Sequence, residues 1–415
     1  MAGAALTIDP DLVTAYLDRL DEIGRLPTGG VWRGVYSPAW DEARRAVRGW
    51  LTDAGLAVRE DAAGNLFGRL DGQAPGPVVL VGSHIDSVYA GGKFDGPLGV
   101  VGAIAAVRAL AARHPRPPRP VEVFVSAEEE NSRFLCNFWG ARAVTGQIAP
   151  GEAERYRDAD GVSLAEAMRS VGLDPDRVAG AGRDDVAAFL ELHIEQGPVL
   201  DQSGIALGVV EAISGVTRTR ARVAGRADHA GSTPMAMRAD ALLAAAEMVL
   251  AIRQLALEFG EPARATVGRF TVRPNQPVII AEEVEFIIDC RHPDRAQQEQ
   301  LVAAARQRCG AIAARHGVGL DSEIIVDQPP TRMDPALVAL LEGVIERRGW
   351  SQRRLISGPG HDAMILGRRF PAVMLFVPSR DGRSHSPAEF TPFEQLLPGV
   401  QALADAVEAL ALAPA

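Results

Sequence analysis

The chain has 415 residues, enough for two or three domains, and a formal net charge of −10, which argues against a general nucleic-acid binder because such proteins present basic surfaces. Its 47% hydrophobic and 23% charged residues are ordinary for a globular protein with a sizeable core. The three cysteines form no CxxC pair and are odd in number, so we expect no disulfide framework and a reducing, cytoplasmic location.

Apolar residues at helical spacing predict helices over residues 10–25 and 39–55, and no basic and apolar signal peptide precedes them. Strands and helices then alternate through LAVRE, GNLFGRL, PVVLVGS, GPLGVVGAIAAVRALAARH and VEVFVSAE. The apolar helix in this series contains Arg108 and is too short to cross a membrane. This alternation predicts an α/β domain with an open sheet, whose chemistry would lie past the carboxyl ends of the strands.

The pattern changes after about residue 213. Strand, helix, strand, strand, helix and strand follow in the order β-α-β-β-α-β, which is typical of a ferredoxin-like unit. We therefore predict that residues 214–328 form an inserted domain, while residues 1–213 and 329–415 form the two parts of the first domain.

Polar side chains that suit a metal ion recur near the predicted strand ends. One histidine alone is more often a surface or core residue than a ligand, so only the joint pattern is informative. Imidazole and carboxylate ligands suit zinc, with manganese, cobalt or nickel as less selective alternatives. Because Cys136 is the one thiol nearby, an open catalytic site is favoured over a closed structural one. The candidates are His84, Asp95, Glu129, Glu130, His193 and His385.

Adjacent Glu129 and Glu130 have two readings. With Glu128 they form a run of three acids, and such a run is usually solvated. Alternatively, one carboxylate binds a metal ion and its neighbour acts as a general base, which must lie within hydrogen-bond reach of the attacking water.

Seven motifs carry a resemblance that covers nearly the whole chain. They are GSHIDSVYAGGKFDGPLGV, AEEENSRF, ELHIEQGPVL, DHAGSTPM, DCRHPD, SGPGHDA and SHSPAE. In this order they resemble the di-metal amidohydrolases related to aminoacylases and zinc exopeptidases, in the branch of the N-carbamoyl-L-amino acid hydrolases, β-ureidopropionases and allantoate amidohydrolases. The resemblance implies a di-zinc exopeptidase-like α/β catalytic domain with a mixed sheet flanked by helices, and an inserted ferredoxin-like lid and dimerisation domain.

The resemblance also implies a division of roles in a centre of two divalent metal ions. Glu129 would be the general base and proton shuttle, and Asp86 would orient the histidine two residues before it. The implied metal ligands are His84 and His193 for one ion, Glu130 and His385 for the other, and Asp95 for both.

Substrate contacts are implied in the same way. Arg291 resembles a clamp for the substrate carboxylate, although an ion pair with nearby Asp289 would also explain it. His229 would stabilise the oxyanion in a neighbouring subunit, which implies a homodimer through the inserted domain. Gln196, Gly360 and His361 match further substrate contacts.

One position departs from the family pattern. The family usually has Asn thirteen residues before the clamp arginine, where this chain has Val278. Asn275 is a candidate replacement, but the spacing in a strand does not place it equivalently.

The expected activity is metal-dependent hydrolysis of a linear amide, first of all an N-carbamoyl-L-amino acid to the amino acid, CO2 and ammonia. Allantoate amidohydrolase and N-acyl amino acid hydrolase are the enzymatic alternatives, and an inactive binding protein is the alternative of another class. The expected partners are a small carboxylated amide or ureido substrate and a second copy of the chain, with no nucleic acid and no membrane.

Overall fold

The structure, a computed structural model, describes residues 6–413. These residues divide into two compact units. The larger comprises residues 6–211 and 333–413, and the smaller comprises Ala212–Arg332.

The helices of the described residues are, in chain order, α1 (Pro10–Glu22), α2 (Pro38–Asp53), α3 (Pro97–Arg113), α4 (Trp139–Val144), α5 (Leu164–Ser170), α6 (Val199–Ser203), α7 (Ala241–Phe259), α8 (Arg295–His316), α9 (Pro335–Arg347), α10 (Asp362–Leu366) and α11 (Phe393–Leu412). Proline at the first turn and a capping side chain explain where the early helices begin: Asp9 caps α1 and Ser37 caps α2. Within the described residues, none of these helices is long and apolar enough to span a membrane.

The strands are β1 (Ala57–Glu60), β2 (Leu66–Leu70), β3 (Val78–His84), β4 (Val121–Ser126), β5 (Val186–Ile194), β6 (Leu207–Ile213), β7 (Gly215–Ala224), β8 (Arg264–Arg273), β9 (Glu283–His292), β10 (Gly319–Gln328), β11 (Thr331–Arg332), β12 (Gln352–Ser357) and β13 (Ala372–Val377). The predicted helices at residues 10–25 and 39–55 are confirmed, each ending two or three residues early.

The larger unit contains a mixed sheet in the order β1-β2-β4-β3-β5-β13-β6, with β12 paired to β6. Its central strands β4, β3, β5 and β13 run parallel, whereas β1, β2 and β6 are antiparallel to their neighbours. The central strands are buried along nearly their whole length, as expected of parallel strands covered on both faces. The predicted α/β fold with a mixed sheet flanked by helices is confirmed.

Helix α3 is buried along most of its length, and it packs against β3, β4, β5 and α11. Gly99 permits this close approach, because a Cβ atom there would lie 2.4 Å from Leu192 O and 2.5 Å from Ser83 Cβ. The first turn of α3 is thereby held against the carboxyl ends of the parallel strands.

The smaller unit is a four-stranded antiparallel sheet in the order β10-β7-β9-β8. Helices α7 and α8 connect the strands in the order β-α-β-β-α-β and cover one face of the sheet. Side chains on β7 and β9 alternate between buried and more exposed positions, which is the pattern of a sheet with one covered face.

Candidate metal centre

The candidate ligands come from the carboxyl ends of neighbouring strands in the larger unit. His84 is the last residue of β3 and lies in register with Ser126, the last residue of β4. Glu129 and Glu130 lie three and four residues after the end of β4, and His193 is the penultimate residue of β5. Because these strands are parallel, their ends bring the three segments to one edge of the sheet, where α/β proteins place their chemistry.

Two groups of side chains there could each hold a metal ion, and they share one residue. Within each group, one nitrogen or oxygen atom from every member lies within 4.8 Å of the others. The structure therefore brings together the five residues that the family resemblance implies as ligands. The first group is His84, Asp95 and His193, and the second is Asp95, Glu130 and His385.

Asp95 turns a different oxygen toward each group. Its Oδ1 lies 3.2 Å from His193 Nε2 and 3.7 Å from His84 Nε2. Its Oδ2 lies 3.4 Å from His385 Nε2, which in turn lies 3.3 Å from Glu130 Oε2. A carboxylate with one oxygen in each group can serve as a bridging ligand.

Hydrogen bonds at the Nδ1 atoms orient the two histidines of the first group, and Nε2 of His193 also accepts one from the main-chain N–H of Gly96, at 3.2 Å. His84 Nδ1 lies 3.2 Å from the main-chain oxygen of Asp86, and His193 Nδ1 lies 2.9 Å from that of Ile194. A ring that donates its Nδ1 proton presents an unprotonated Nε2. Nε2 of His84 is buried and has no hydrogen-bond partner among residues 6–413. A buried lone pair without a donor, beside carboxylates, fits a divalent metal ion.

The charges of the site suit a divalent cation. Burial and the neighbouring Glu130 carboxylate raise the pKa of Glu129 well above its ordinary value, and burial and Asp95 do the same for Glu130. Burial lowers the pKa of His193, but Asp95 outweighs it and brings this pKa to about 9. Carboxylates crowded without a counter-charge are stabilised when cations bind between them.

Asp86 joins the two ligand segments. Its Oδ1 lies 3.3 Å from His84 Nδ1 and accepts a hydrogen bond from the main-chain N–H of Glu129, at 3.1 Å. Its Oδ2 accepts one from the N–H of Glu130, also at 3.1 Å. Asp86 therefore contacts the histidine of β3 and also fixes the backbone of the acidic run.

Glu389 is a site residue that sequence analysis missed. Its buried carboxylate accepts hydrogen bonds from the N–H groups of Phe94 (2.7 Å) and Asp95 (3.1 Å) through Oε1. Its Oε2 accepts one from Ser384 Oγ, which also lies 2.5 Å from Asp95 Oδ2. Gly92 makes room for this carboxylate, since a Cβ atom there would lie 2.1 Å from Glu389 Cδ. Glu389 is the last residue of the SHSPAE motif, and this position was the signal in the sequence that could have indicated it.

Gln196 reaches the second group of ligands. Its Nε2 lies 2.7 Å from Asp95 Oδ2 and 3.3 Å from His385 Nε2. The residue has a left-handed φ of 57°. The preceding Glu195 accepts hydrogen bonds from the first N–H groups of α6 and thereby fixes the turn.

His361 and Gly360 lie at the start of α10. The His361 ring is fully buried, with its centroid 4.6 Å from that of His193. The Ser357 hydroxyl donates to Pro359 O, so it accepts from His361 Nε2, and this histidine carries its proton on Nε2. A side chain at position 360 would meet the ring of Phe138 at 2.6 Å. His361 thus packs behind a candidate ligand in this structure.

Three predicted substrate residues belong to the smaller unit. Exposed His229 accepts hydrogen bonds at Nδ1 from the N–H groups of Gly231 and Ser232, so it carries its proton on Nε2. Arg291 donates from Nε and Nη2 to the two oxygens of Asp289, at 2.7 and 3.2 Å.

The loop of the smaller unit that departs from the family pattern is also described. Asn275 and Val278 are both exposed in the segment between β8 and β9. Asn275 follows a cis Arg273–Pro274 peptide bond and has a φ of 58°. The two residues lie in irregular backbone rather than on one strand.

A mixed α/β sheet with two groups of imidazole and carboxylate ligands around one shared aspartate defines a metal-dependent hydrolase. Residues 80–409 match the model of peptidase family M20/M25/M40, and the chain belongs to this family.

Similar proteins agree on the class of reaction. N-carbamoyl-L-amino acid amidohydrolase of Geobacillus stearothermophilus is 40% identical over 95% of this chain and 97% of its own length. Allantoate amidohydrolase of Bacillus subtilis (strain 168) is 39% identical over 96% of this chain and 97% of its own length. The crystal structure of an amidase of the hydantoinase/carbamoylase family from Burkholderia multivorans superposes with a TM-score of 0.92 at 34% identity, covering 99% of this chain and all of that one. The chain is an amidohydrolase that acts on linear amide C–N bonds.

Proposed function

We propose that this enzyme hydrolyses the carbamoyl group of N-carbamoyl-L-amino acids with the help of two divalent metal ions. The observation that supports a pair of ions is the position of Asp95, which turns one carboxylate oxygen toward each ligand group. We assign zinc first, with manganese, cobalt or nickel as alternatives, because imidazole and carboxylate ligands suit all of them.

In this proposal five residues hold the ions. When bound, the two cations would act as Lewis acids that polarise the substrate carbonyl and lower the pKa of water. The ligands would be His84 and His193 for the first ion, Glu130 and His385 for the second, and Asp95 for both.

Glu129 is proposed to move the proton. Its Oε2 lies 3.9 Å from His84 Nε2, and its side chain is only 8% exposed, so it faces the first ligand group from a water-poor position. Glu129 takes a proton from the attacking water while the water oxygen bonds to the carbamoyl carbon. It then gives this proton to the departing nitrogen as the C–N bond breaks. This hydrolysis leaves a carbamic acid, which breaks its remaining C–N bond by losing CO2, so the products are the amino acid, CO2 and ammonia.

Substrate contacts are proposed for residues of both units. Arg291 would release Asp289 and bind the substrate carboxylate instead, to which its guanidinium group can donate two hydrogen bonds. His229 would stabilise the oxyanion of a neighbouring subunit, and its Nε2 proton makes it a suitable donor. Further contacts are proposed for Gln196, Asn275, Gly360 and His361.

A homodimer through the inserted domain, residues 214–328, is part of the proposal. Leu243, Leu250 and Leu257 are 51%, 69% and 58% exposed and lie seven residues apart, so they line one side of α7. Among residues 6–413, strand β8 pairs with β9 alone, and its outer edge can pair with another strand. Leu250→Glu should shift the mass measured by analytical ultracentrifugation from dimer to monomer and lower kcat. A wild-type monomer, or a dimeric variant, would contradict this.

The cellular location is proposed on the cysteines. Cys136, Cys290 and Cys309 are free and buried, which agrees with a reducing compartment such as the cytoplasm.

Allantoate is the second candidate substrate. The relatives of that name in Bacillus subtilis and Escherichia coli are each 39% identical to this chain, almost as similar as the N-carbamoyl-L-amino acid amidohydrolase at 40%. N-acyl amino acids are a third candidate, because the proposed ligands and the carboxylate clamp would serve all three.

The test is a substrate panel at equal metal loading. Chelator-treated protein receives Zn²⁺, Mn²⁺, Co²⁺ or Ni²⁺, and ammonia or free amine is measured with N-carbamoyl-L-amino acids, allantoate and N-acetyl-amino acids. We expect the highest kcat/KM with an N-carbamoyl-L-amino acid and no activity without metal. The matched control is Glu129→Gln, which should bind metal and fail to turn over. If no ureido or acyl substrate is cleaved with any metal, the proposal is wrong.

A further inference from the structure

The first turn of α10 is tied to the strands that carry the candidate ligands. Asp362, its first residue, accepts a hydrogen bond at Oδ1 from Ser126 Oγ on β4, at 3.0 Å. The N–H of Ala363 donates to Glu191 Oε2 on β5, at 2.9 Å. Glu191 Oε1 accepts a hydrogen bond from Ser83 Oγ on β3, at 2.7 Å. One short helix thus connects to three adjacent parallel strands. We call Ser83, Ser126, Glu191 and Asp362 the brace.

The brace lies immediately beneath the candidate ligands. Ser83 precedes His84, and Glu191 lies two residues before His193 on the same strand. Ser126 ends the strand that leads into the acidic run. A shift of any brace residue along its strand therefore moves a ligand by a similar distance. Metal sites tolerate little such movement, since ligand distances in a working site vary by only about 0.2 Å.

The brace is built into the core. All four side chains are 0–1% exposed. Two glycines make room for its serines: a Cβ atom at Gly140 would lie 2.3 Å from Ser126 Oγ, and one at Gly99 would lie 2.5 Å from Ser83 Cβ. Burying two carboxylates is costly, so a buried acid pair calls for a reason beyond packing.

Asp362 is incompletely paired, which distinguishes it from an ordinary buried acid. Its Oδ2 is buried and accepts no hydrogen bond from any residue between 6 and 413. Burial and the Glu191 carboxylate raise its pKa well above the ordinary value for aspartate. Asparagine, whose amide has the same shape, should therefore substitute for Asp362, whereas alanine should not.

We propose that the brace sets the spacing of the three ligand-bearing strand ends, with Asp362 as a positioning residue for the metal centre. The last two residues of the SGPGHDA motif, Asp362 and Ala363, would thus hold the strands that carry the ligands. The inference rests on the proposed metal pair but not on the identity of the substrate, because its consequence is visible in metal binding alone.

Cobalt is the probe of choice, because the visible absorption of Co²⁺ reports the number and arrangement of its ligands. Metal-free wild type, Asp362→Ala and Asp362→Asn are titrated with Co²⁺, and affinity, absorption spectrum and Tm are recorded. We expect Asp362→Ala to weaken Co²⁺ binding by about 10- to 100-fold, as is common when residues behind metal ligands are changed, and to alter the spectrum. Asp362→Asn should stay within about threefold of wild type, with an unchanged spectrum.

Ser163→Ala is the matched control. Ser163 is also a buried serine bonded to a carboxylate, that of Glu166, but it caps α5 away from the ligands. It should lower Tm and leave Co²⁺ affinity and spectrum unchanged. If Asp362→Ala behaves like this control, the brace is structural only and the inference is wrong.

Ser126→Ala provides a second route if Asp362→Ala does not fold. It removes the same hydrogen bond and should weaken Co²⁺ binding several-fold; wild-type affinity and spectrum in this variant would also overturn the inference. If the wild type itself binds no Co²⁺, the proposed metal pair fails and the brace fails with it. If the wild type binds and the brace variants match it, only the brace fails.

Discussion

Replacing Glu389 with alanine should damage the proposed metal centre, although Glu389 is not one of the proposed ligands. Its carboxylate accepts two backbone N–H groups, from Phe94 at 2.7 Å and from Asp95 at 3.1 Å, and is 6% exposed. Hydrogen bonds to a charged group contribute about 1.5–3 kcal/mol each, so losing both costs about 3–6 kcal/mol. This loss of stability affects the backbone of Asp95, the residue that faces both ligand groups.

Metal affinity should report this loss more sharply than global unfolding. A tenfold change in Kd corresponds to about 1.4 kcal/mol. If half of the lower estimate of about 3 kcal/mol is lost from the free energy of metal binding, the metal Kd rises about tenfold. Isothermal titration of the metal-free protein with Zn²⁺ measures the Kd, and urea unfolding measures stability. Glu389→Gln keeps an acceptor for both N–H groups and should lose much less than the alanine variant.

Asp334→Ala is the control for the loss of a carboxylate that accepts two N–H groups. Asp334 accepts those of Ala336 and Leu337, at 2.9 and 3.0 Å, where it caps α9. This change should lower stability by about 0.5–2 kcal/mol without altering the metal Kd. A wild-type metal Kd and kcat in Glu389→Ala would refute the role of Glu389.

Three other substitutions test separate parts of the account. Glu129→Gln should keep the metal content and lower kcat about 10²- to 10⁴-fold in a steady-state assay, and near-normal turnover would exclude it as the base. Arg291→Ala should raise KM for carboxylated substrates about 10- to 100-fold at constant metal content. Arg218 also donates to Asp289, so Arg218→Ala is the control and should leave KM unchanged. Equal KM values in the two variants would exclude Arg291 as the carboxylate clamp. Arg33 is fully buried and donates to three backbone carbonyl oxygens. Arg33→Met should therefore lower the free energy of unfolding in urea by at least about 3 kcal/mol, and Arg33→Lys should lower it by less. A loss below about 1 kcal/mol in Arg33→Met would contradict this prediction.

The ligand set could be predicted because it combines rare residue types with a simple rule of position. His84 and His193 end apolar runs, and the acidic run follows another, so an open sheet was expected to collect them at one edge. Asp95 lies in a loop that contains several glycines, and hydrophobic periodicity does not predict the path of such a loop. Its role as a ligand shared by both groups came only from the resemblance to a family.

Other features could not be read from sequence for physical reasons. Glu389 is a single acid in a loop, and its partners are backbone N–H groups 294 and 295 residues away. Helices α4, α5 and α6 have five to seven residues, too few for a clear apolar period, and tertiary contacts hold them. His361 was predicted from its motif as a substrate contact, but no pattern in the sequence indicates that its ring is buried against His193.

The position of β13 has a consequence for how the chain folds during synthesis. This strand, Ala372–Val377, lies between β5 and β6, although both precede it by more than 150 residues. Until the ribosome has released it, the open edges of β5 and β6 cannot be joined across the gap, and they can pair with other chains. His385 follows β13, so the second ligand group also waits for the last stretch of the polypeptide. A chain truncated before residue 372 should therefore aggregate rather than accumulate as a partly active enzyme, and metal capture would mark completed molecules.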